Sequence, residues 1–339
     1  MRKIILSSVM VIVTIVGNGQ KSSFRKDQKN FSNEAVQTMH QLKKTSPFVL
    51  NDERILLLNK FQTYSDSLPY TTFDEYLISP EQTSENMEHT MPILYCYRNA
   101  FDKVIDEVKN TKVKKGTVVV WMLYNMGVVV KTPSGCFGID INHRWAEKFE
   151  PYLDFLCVTH NHEDHKSTEL MEAMNSHGKP VLSNFYNASE KYVSTTPASY
   201  KIGNFSIHTD IADHNTKLLN YITVFRIDCG EDAGNFSILN CGDANFNPKQ
   251  FTNVQGPINL VILRYGAPVE NNILGTGTGQ VKPDYAVLSH IIELRHRIKE
   301  SPRRASITET VEHIPNIKCE NTILPFWGEK LTWKNGKMH

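Results

Sequence analysis

The stretch Thr159-His160-Asn161-His162-Glu163-Asp164-His165 sets three imidazoles and the Asp164 carboxylate directly after the apolar run Phe155-Leu156-Cys157-Val158. The run reads as a buried strand and the polar stretch as a loop at its end. A tight loop of this kind aims alternate side chains at one point, so His160 and His162 face a single cation. Asp164 and His165 face a second point nearby. A divalent ion needs several donors converging at roughly 2.0–2.2 Å, and this cluster supplies them. A merely polar surface loop does not account for so many ligating groups at one strand exit.

These residues spell H-x-H-x-D-H, and the chain from about Lys114 onward resembles the metallo-β-lactamase superfamily of metal-dependent hydrolases. Three further residues follow in matching order and context. They are His214 in Ile211-Ala212-Asp213-His214, Asp243 in Leu239-Asn240-Cys241-Gly242-Asp243, and His290 in Ala286-Val287-Leu288-Ser289-His290. The resemblance implies an α/β fold, a four-layer αβ/βα sandwich with the metals at the edge where the two sheets meet. It implies that His160, His162 and His214 hold one metal, that Asp164, His165 and His290 hold the other, and that Asp243 bridges them. Asp140, closing an earlier strand, would support the site without binding metal.

The implied cofactor is a pair of divalent ions, zinc first, with manganese or iron as alternatives. Two such ions roughly 3.5–4 Å apart lower the pKa of a shared water, so that hydroxide attacks a carbonyl or phosphoryl centre at neutral pH. Asp164 is the candidate for orienting that hydroxide and passing a proton to the leaving group. The expected substrate is a small molecule carrying a lactone, ester or phosphodiester.

Departures from relatives narrow this reading. The secreted β-lactamases of the superfamily carry a cysteine ligand where this chain has Asp243, and Cys241 lies two residues too early. The di-iron redox branch has glutamate at the position of His162. An Ala-Asp-His third motif and a Cys-Gly-Asp fourth motif look most like the lactonase and phosphodiesterase branch typified by ascorbate-phosphate lactonase. Two other classes compete: a protein that keeps the fold and has lost catalysis, and a secreted nuclease. Retention of every donor argues against the first. The formal net charge of +1 argues against the basic, aromatic-lined groove that the second requires, so no nucleic-acid partner is expected.

Ahead of the catalytic region lie two other segments. Met1-Arg2-Lys3, the apolar stretch from Ile4 to Val16 and Gly17-Asn18-Gly19 read as a cleavable secretory signal cut near Gly19, too short for the roughly 20 residues of a membrane span. The expected protein is therefore exported, periplasmic or extracellular, with no stable membrane span after cleavage. Residues 20–113 read as a helical extension, with Asn51 or Asp52 capping one helix and Tyr97, Phe101, Val104, Ile105 and Val108 repeating at helical spacing. A packing layer over the core is favoured there over a lid. Residues 114–339 form the hydrolase domain.

Within that domain, β-rich runs at 117–121, 127–130 and 136–140 read as strands joined by hairpins, and Ser167 caps a helix through Met174. Six cysteines show no dense framework, and Cys136, Cys157 and Cys241 read as buried thiols. Gly275-Thr276-Gly277-Thr278-Gly279 offers backbone amides to an anion or serves as a mobile connection, the latter favoured. Arg295, Arg297, Arg303 and Arg304, interleaved with Glu293 and Glu300, read as a solvated basic face in preference to an anion site.

Overall fold

A computed structural model describes residues 33–265, 268–295 and 305–339 of the chain. The leader segment and Arg297, Arg303 and Arg304 lie outside the described residues.

Five helices come first: α1 (Asn33–Leu42), α2 (Asp52–Asp66), α3 (Thr72–Ile78), α4 (Glu81–Thr90) and α5 (Pro92–Asn110). Asn51 starts α2 by accepting the Arg54 amide at 3.0 Å, and Asp52 and Glu53 place negative charge against the helix's positive end. Pro92 opens α5, where its missing N–H costs nothing. No helix among the described residues is long and apolar enough to cross a membrane.

Two seven-stranded sheets follow. The first contains β1 (Thr117–Met122), β2 (Val128–Thr132), β3 (Gly135–Ile139), β4 (Phe155–Cys157) and, after helix α6 (Thr168–Ser176), β5 (Val181–Leu182). The second contains β6 (Ala198–Ile202), β7 (Phe205–Ala212), β8 (Ile222–Asp228), β9 (Ser237–Asn240), β10 (Gly256–Arg264) and β11 (Val281–Ser289); helix α7 (Ile307–His313) then leads to β12 (Thr322–Ile323). A final hairpin, β13 (Lys330–Lys334) and β14 (Lys337–Met338), returns to the first sheet, where β13 lies antiparallel to β1 with Val119 opposite Thr332. The spatial orders are β14-β13-β1-β2-β3-β4-β5 and β12-β11-β10-β9-β8-β7-β6.

The period of two along the strands explains the layering. In β1, Val118, Val120 and Met122 point into the space between the sheets, joined there by Phe137, Phe155, Phe205, Phe225, Leu260 and Ile262. The alternate residues Val119 and Trp121 face outward, under Phe101, Val104 and Val108 of α5 and Leu170 and Met174 of α6. On the second sheet Val224, Leu239, Val261 and Leu263 belong to the cluster that holds α1, α2, the first half of α5 and α7. The result is the αβ/βα sandwich that the motif order implies. Helix α6 starts where expected, with Ser167 accepting the Leu170 amide.

The helical extension is welded to the sandwich. The fully buried Arg54 of α2 sends two bonds to Glu329, at 3.0 and 2.6 Å, and one to the Leu324 carbonyl, and Phe61 stacks on Phe326 with centroids 4.2 Å apart. All six cysteines are free thiols, five of them buried. The glycine-rich loop is neither a mobile connection nor an open anion cradle. The amides of Gly277 and Gly279 are taken by the side chains of Gln280 and Gln255, and a Cβ on Gly279 would meet the Pro248 oxygen at 1.8 Å.

Candidate metal centre

The donors gather at strand ends along one seam of the sandwich. The loop of residues 159–165 follows β4, His214 lies two residues beyond β7, Asp243 follows β9, and His290 follows β11 directly. Cross-sheet bonds hold the seam closed: the Thr223 amide on β8 donates to the Thr159 oxygen at 2.7 Å, and Asn240 Nδ2 donates to the Met126 oxygen at 3.1 Å. Gly242 takes φ +50°, and a Cβ there would meet Thr159 Cβ at 2.8 Å, so only glycine lets the Asp243 loop pass this close.

All seven sequence-selected donors converge. His160, His162 and His214 present ligand atoms within 4.8 Å of one another, as do His160, His165 and Asp243, and again Asp164, His165 and His290. His160 Nε2 lies 3.0 Å from His162 Nδ1. Asp243 faces both groups, with Oδ2 3.6 Å from His214 Nε2 and Oδ1 3.6 and 3.4 Å from the Nε2 atoms of His165 and His290. Asp164 Oδ2 lies 3.5 Å from His165 Nε2 and 3.4 Å from His290 Nε2.

These separations distinguish a ligand shell from a hydrogen-bond network. Good N–H···O bonds run to about 3.2 Å, whereas donors on a tetrahedral cation with bonds near 2.0–2.1 Å sit roughly 3.3 Å apart. The five carboxylate–imidazole edges just given fall at 3.4–3.6 Å, close to the second value. Correspondingly, the buried atoms His165 Nε2, His290 Nε2, Asp243 Oδ1 and Asp164 Oδ1 have no hydrogen-bond partner. Leaving several buried polar atoms unpaired costs about 1–3 kcal/mol each, so the donor set fits a cation and little else.

Residues behind the donors fix their orientation. Asp140, fully buried, accepts the Thr159 amide at 2.8 Å, the Thr159 hydroxyl at 2.7 Å and His165 Nδ1 at 2.8 Å, which turns His165 Nε2 inward. The Thr159 hydroxyl in turn lies 2.9 Å from His160 Nδ1. Asn125, between β1 and β2, donates Nδ2 to Asp164 Oδ2 at 3.0 Å, and its carbonyl accepts the His290 amide and the Ser289 hydroxyl. Asn142 ties down the loop by donating to the oxygens of Glu163 and Lys166, both at 2.7 Å, and Tyr97 of α5 donates to the Asn142 carbonyl. Tyr221 stands over His162 with ring centroids 5.1 Å apart and donates to the Asn161 oxygen. Asn125, Asn142 and Tyr221 escape sequence reading because they belong to no motif; the one local signal is Asn125-Met126-Gly127, a turn sequence between two apolar runs.

Backbone conformation marks the same region. Asn125, Asp140 and His290 have φ of 53°, 48° and 57°, a left-handed geometry that costs a non-glycine residue of order 1–3 kcal/mol. The bonds just described hold each one there.

Electrostatics divide the site in two. Burial holds His160, His162 and His214 below the usual imidazole range, so they are neutral and ready to donate a lone pair. Burial also opposes charge on His165 and His290, but the nearby carboxylates outweigh it, pushing His165 well up and His290 to about 10. The same pairs, against burial, hold Asp164 and Asp243 below the ordinary carboxylate range. In the metal-free protein, protons on His165 and His290 balance carboxylates that a cation would otherwise neutralise.

Two other histidines lie apart from the centre: His177 is exposed beside Glu150, and His208 lies 3.7 Å from Asp228 on the second sheet.

No family model matches this chain, and no curated protein matches it in sequence. Solved structures match in fold. The metallo-β-lactamase fold protein YhfI from Bacillus subtilis is 12% identical, with a TM-score of 0.46 over 65% of this chain and 100% of its own. Igni18, a metallo hydrolase from the archaeon Ignicoccus hospitalis, is 18% identical, with a TM-score of 0.47 over 64% of this chain and 99% of its own. CmlA, a diiron β-hydroxylase from Streptomyces venezuelae, is 14% identical, with a TM-score of 0.46 over 66% and 55%. A likeness of this degree, shared by hydrolase and oxygenase alike, leaves function to the donor geometry of the chain itself.

Proposed function

We propose that this chain is a metal-dependent hydrolase of the metallo-β-lactamase superfamily, exported after removal of its first nineteen or so residues, that cleaves a lactone, ester or phosphodiester in a small molecule. One observation carries the reading: seven donors from four strand ends converge, with unpaired buried atoms at cation-ligand spacing. His160, His162 and His214 would hold one divalent ion, Asp164, His165 and His290 the other, and Asp243 both. When bound, such a pair supplies electrophilic activation and a water acidic enough to ionise at neutral pH.

The protein's own groups do the rest. Asp140 and Thr159 hold His165 and His160 in the orientation that turns their Nε2 atoms inward. Asn125 fixes one oxygen of Asp164, leaving the unpartnered Oδ1 to take a proton from the attacking water and deliver it to the leaving group. Tyr221 and the Asn142-braced loop form a wall beside His162. Zinc is favoured by the imidazole-rich set, and His162 disfavours the iron-oxygen chemistry of the redox branch. The aspartate at 243 and the motif order favour the lactonase and phosphodiesterase branch.

Metal analysis of the purified protein, combined with a panel of lactone, phosphodiester and thioester substrates, tests the proposal. Two metals per chain and turnover of at least one panel class are expected. A metal content near one would remove His290 or Asp243 from the ligand set, and tightly bound metal without turnover of any class would favour a binding protein.

A further inference from the structure

A cavity of about 360 Å³ opens beside the metal-centre donors, and its lining comes from three separate parts of the chain. The donor loop contributes His162, Glu163 and Asp164; the helical extension contributes Tyr70 and Asp74; and Arg295 comes from the segment after His290. The N-terminal helices are therefore more than a packing layer, since one of them forms a wall of the space a substrate would enter.

The charges on this wall are arranged asymmetrically. Glu163 is neutralised by Lys166 at 2.8 Å, and Asp164 belongs to the donor set. Arg295 is the one permanent cation among the described lining residues. Its Nε donates to Asp74 Oδ1 at 2.7 Å, and among the described residues its guanidinium makes no other hydrogen bond. Among the described residues the two terminal nitrogens thus keep their donors, in a planar fork suited to a carboxylate or phosphate. A scaffolding role explains little of this. The Asp74 side chain is 53% exposed, and so wet an ion pair adds little to stability.

We propose that Arg295 is a specificity-determining residue that binds an anionic oxygen group of the substrate, a carboxylate or phosphate, next to the bond being cleaved, and that Asp74 of α3 holds its guanidinium for that task. The inference rests on the hydrolase reading above. It makes the preferred substrate a bifunctional one, with a scissile centre at the metals and an anion a few ångströms away.

Matched substrate pairs test it. The acyl pair is p-nitrophenyl benzoate and p-nitrophenyl 4-carboxybenzoate; the phosphoryl pair is p-nitrophenyl phenylphosphonate and its 4-carboxyphenyl analogue. Each is assayed with metal-loaded wild type, Arg295→Ala, Arg295→Lys and Asp74→Asn, and metal content is measured alongside. Wild type should prefer the carboxylated member of the pair it hydrolyses. In Arg295→Ala the charged-to-neutral ratio of kcat/KM should fall roughly 10- to 100-fold, mainly through KM, the range expected for a lost hydrogen bond to a charged group. Arg295→Lys should recover part of the preference, and Asp74→Asn should lose less of it than Arg295→Ala. An unchanged ratio in Arg295→Ala, or a wild type indifferent to the carboxylate, would overturn the inference while leaving the hydrolase intact. Wild type with two metals bound and no turnover of any compound would instead count against the hydrolase reading and remove this one with it.

Discussion

Replacing Asp243 by asparagine isolates the charge that joins the two halves of the centre. Asp243 is 8% exposed and its carboxylate lies 3.4–3.6 Å from three imidazoles, with one oxygen toward His165 and His290 and the other toward His214. The amide keeps the volume and one acceptor oxygen but loses the negative charge and one good ligand atom. His165 and His290 can shed their protons in response, so no stranded charge remains, and the folding cost should stay on the order of 1–2 kcal/mol. The loss in metal binding should be larger. Disturbing a residue behind a ligand typically costs 10–100-fold in affinity or activity, so loss of a shared ligand should exceed about 100-fold, or roughly 2.7 kcal/mol. The assay combines metal stoichiometry by mass spectrometry, initial rates on the best panel substrate, and urea unfolding of the metal-free protein. Asp213→Asn is the control: Asp213 accepts the Asn220 amide at 2.7 Å, which the amide oxygen can still do, and faces none of the imidazoles. If Asp243→Asn keeps two metals and full turnover, or if Asp213→Asn is equally damaging, the bridging assignment is wrong.

Three other outcomes are expected. Asp140→Asn should lower metal affinity 10- to 100-fold in competition with a chelator, because an amide cannot accept from Thr159 N, Thr159 Oγ1 and His165 Nδ1 together; unchanged affinity would show that His165 orients itself. The metal-free protein should lose stability as pH rises, since His290 has a folded pKa of about 10 against an ordinary 6.5: its contribution is complete below about 6.5 and gone above about 10, on the order of a few kcal/mol, and urea titrations across that window should become shallower in His290→Gln, with His165 supplying the remaining slope. Mass spectrometry of the secreted protein should find an amino terminus near residue 20; an intact Met1 on a cytosolic protein would refute export.

The layers and the convergence of donors were legible because both depend on local pattern. Alternation in Val118–Trp121 distinguishes two buried faces, and a strand exit such as Val158-Thr159-His160 announces a loop whose side chains must point somewhere. What escaped reading depends on distance in sequence. Nothing near Asn125 states that its amide will hold Asp164 and its carbonyl the loop of His290. Tyr70 and Asp74 carry no motif, and they meet Arg295 only because the extension folds back over the seam. The glycine-rich segment misled because its composition reads as open, whereas the adjoining Gln280 side chain, the distant Gln255 side chain and the Pro248 carbonyl fill it.

The return of β13 to the edge of β1 has a consequence for how the protein is made. Strand β1 is complete by Met122, yet its outer neighbour is synthesised more than two hundred residues later, and Glu329, the partner of buried Arg54, emerges just before it. Until the ribosome has released nearly the whole chain, β1 presents an unpaired apolar edge and Arg54 has no counter-ion. Native pairing of this kind is highly non-local, which slows folding and leaves an unpaired edge exposed on the nascent polypeptide. Were the chain exported as proposed, that delay would serve it, because a chain that cannot close early remains competent for threading. Ending translation before Lys330 should accordingly give insoluble material rather than a smaller enzyme.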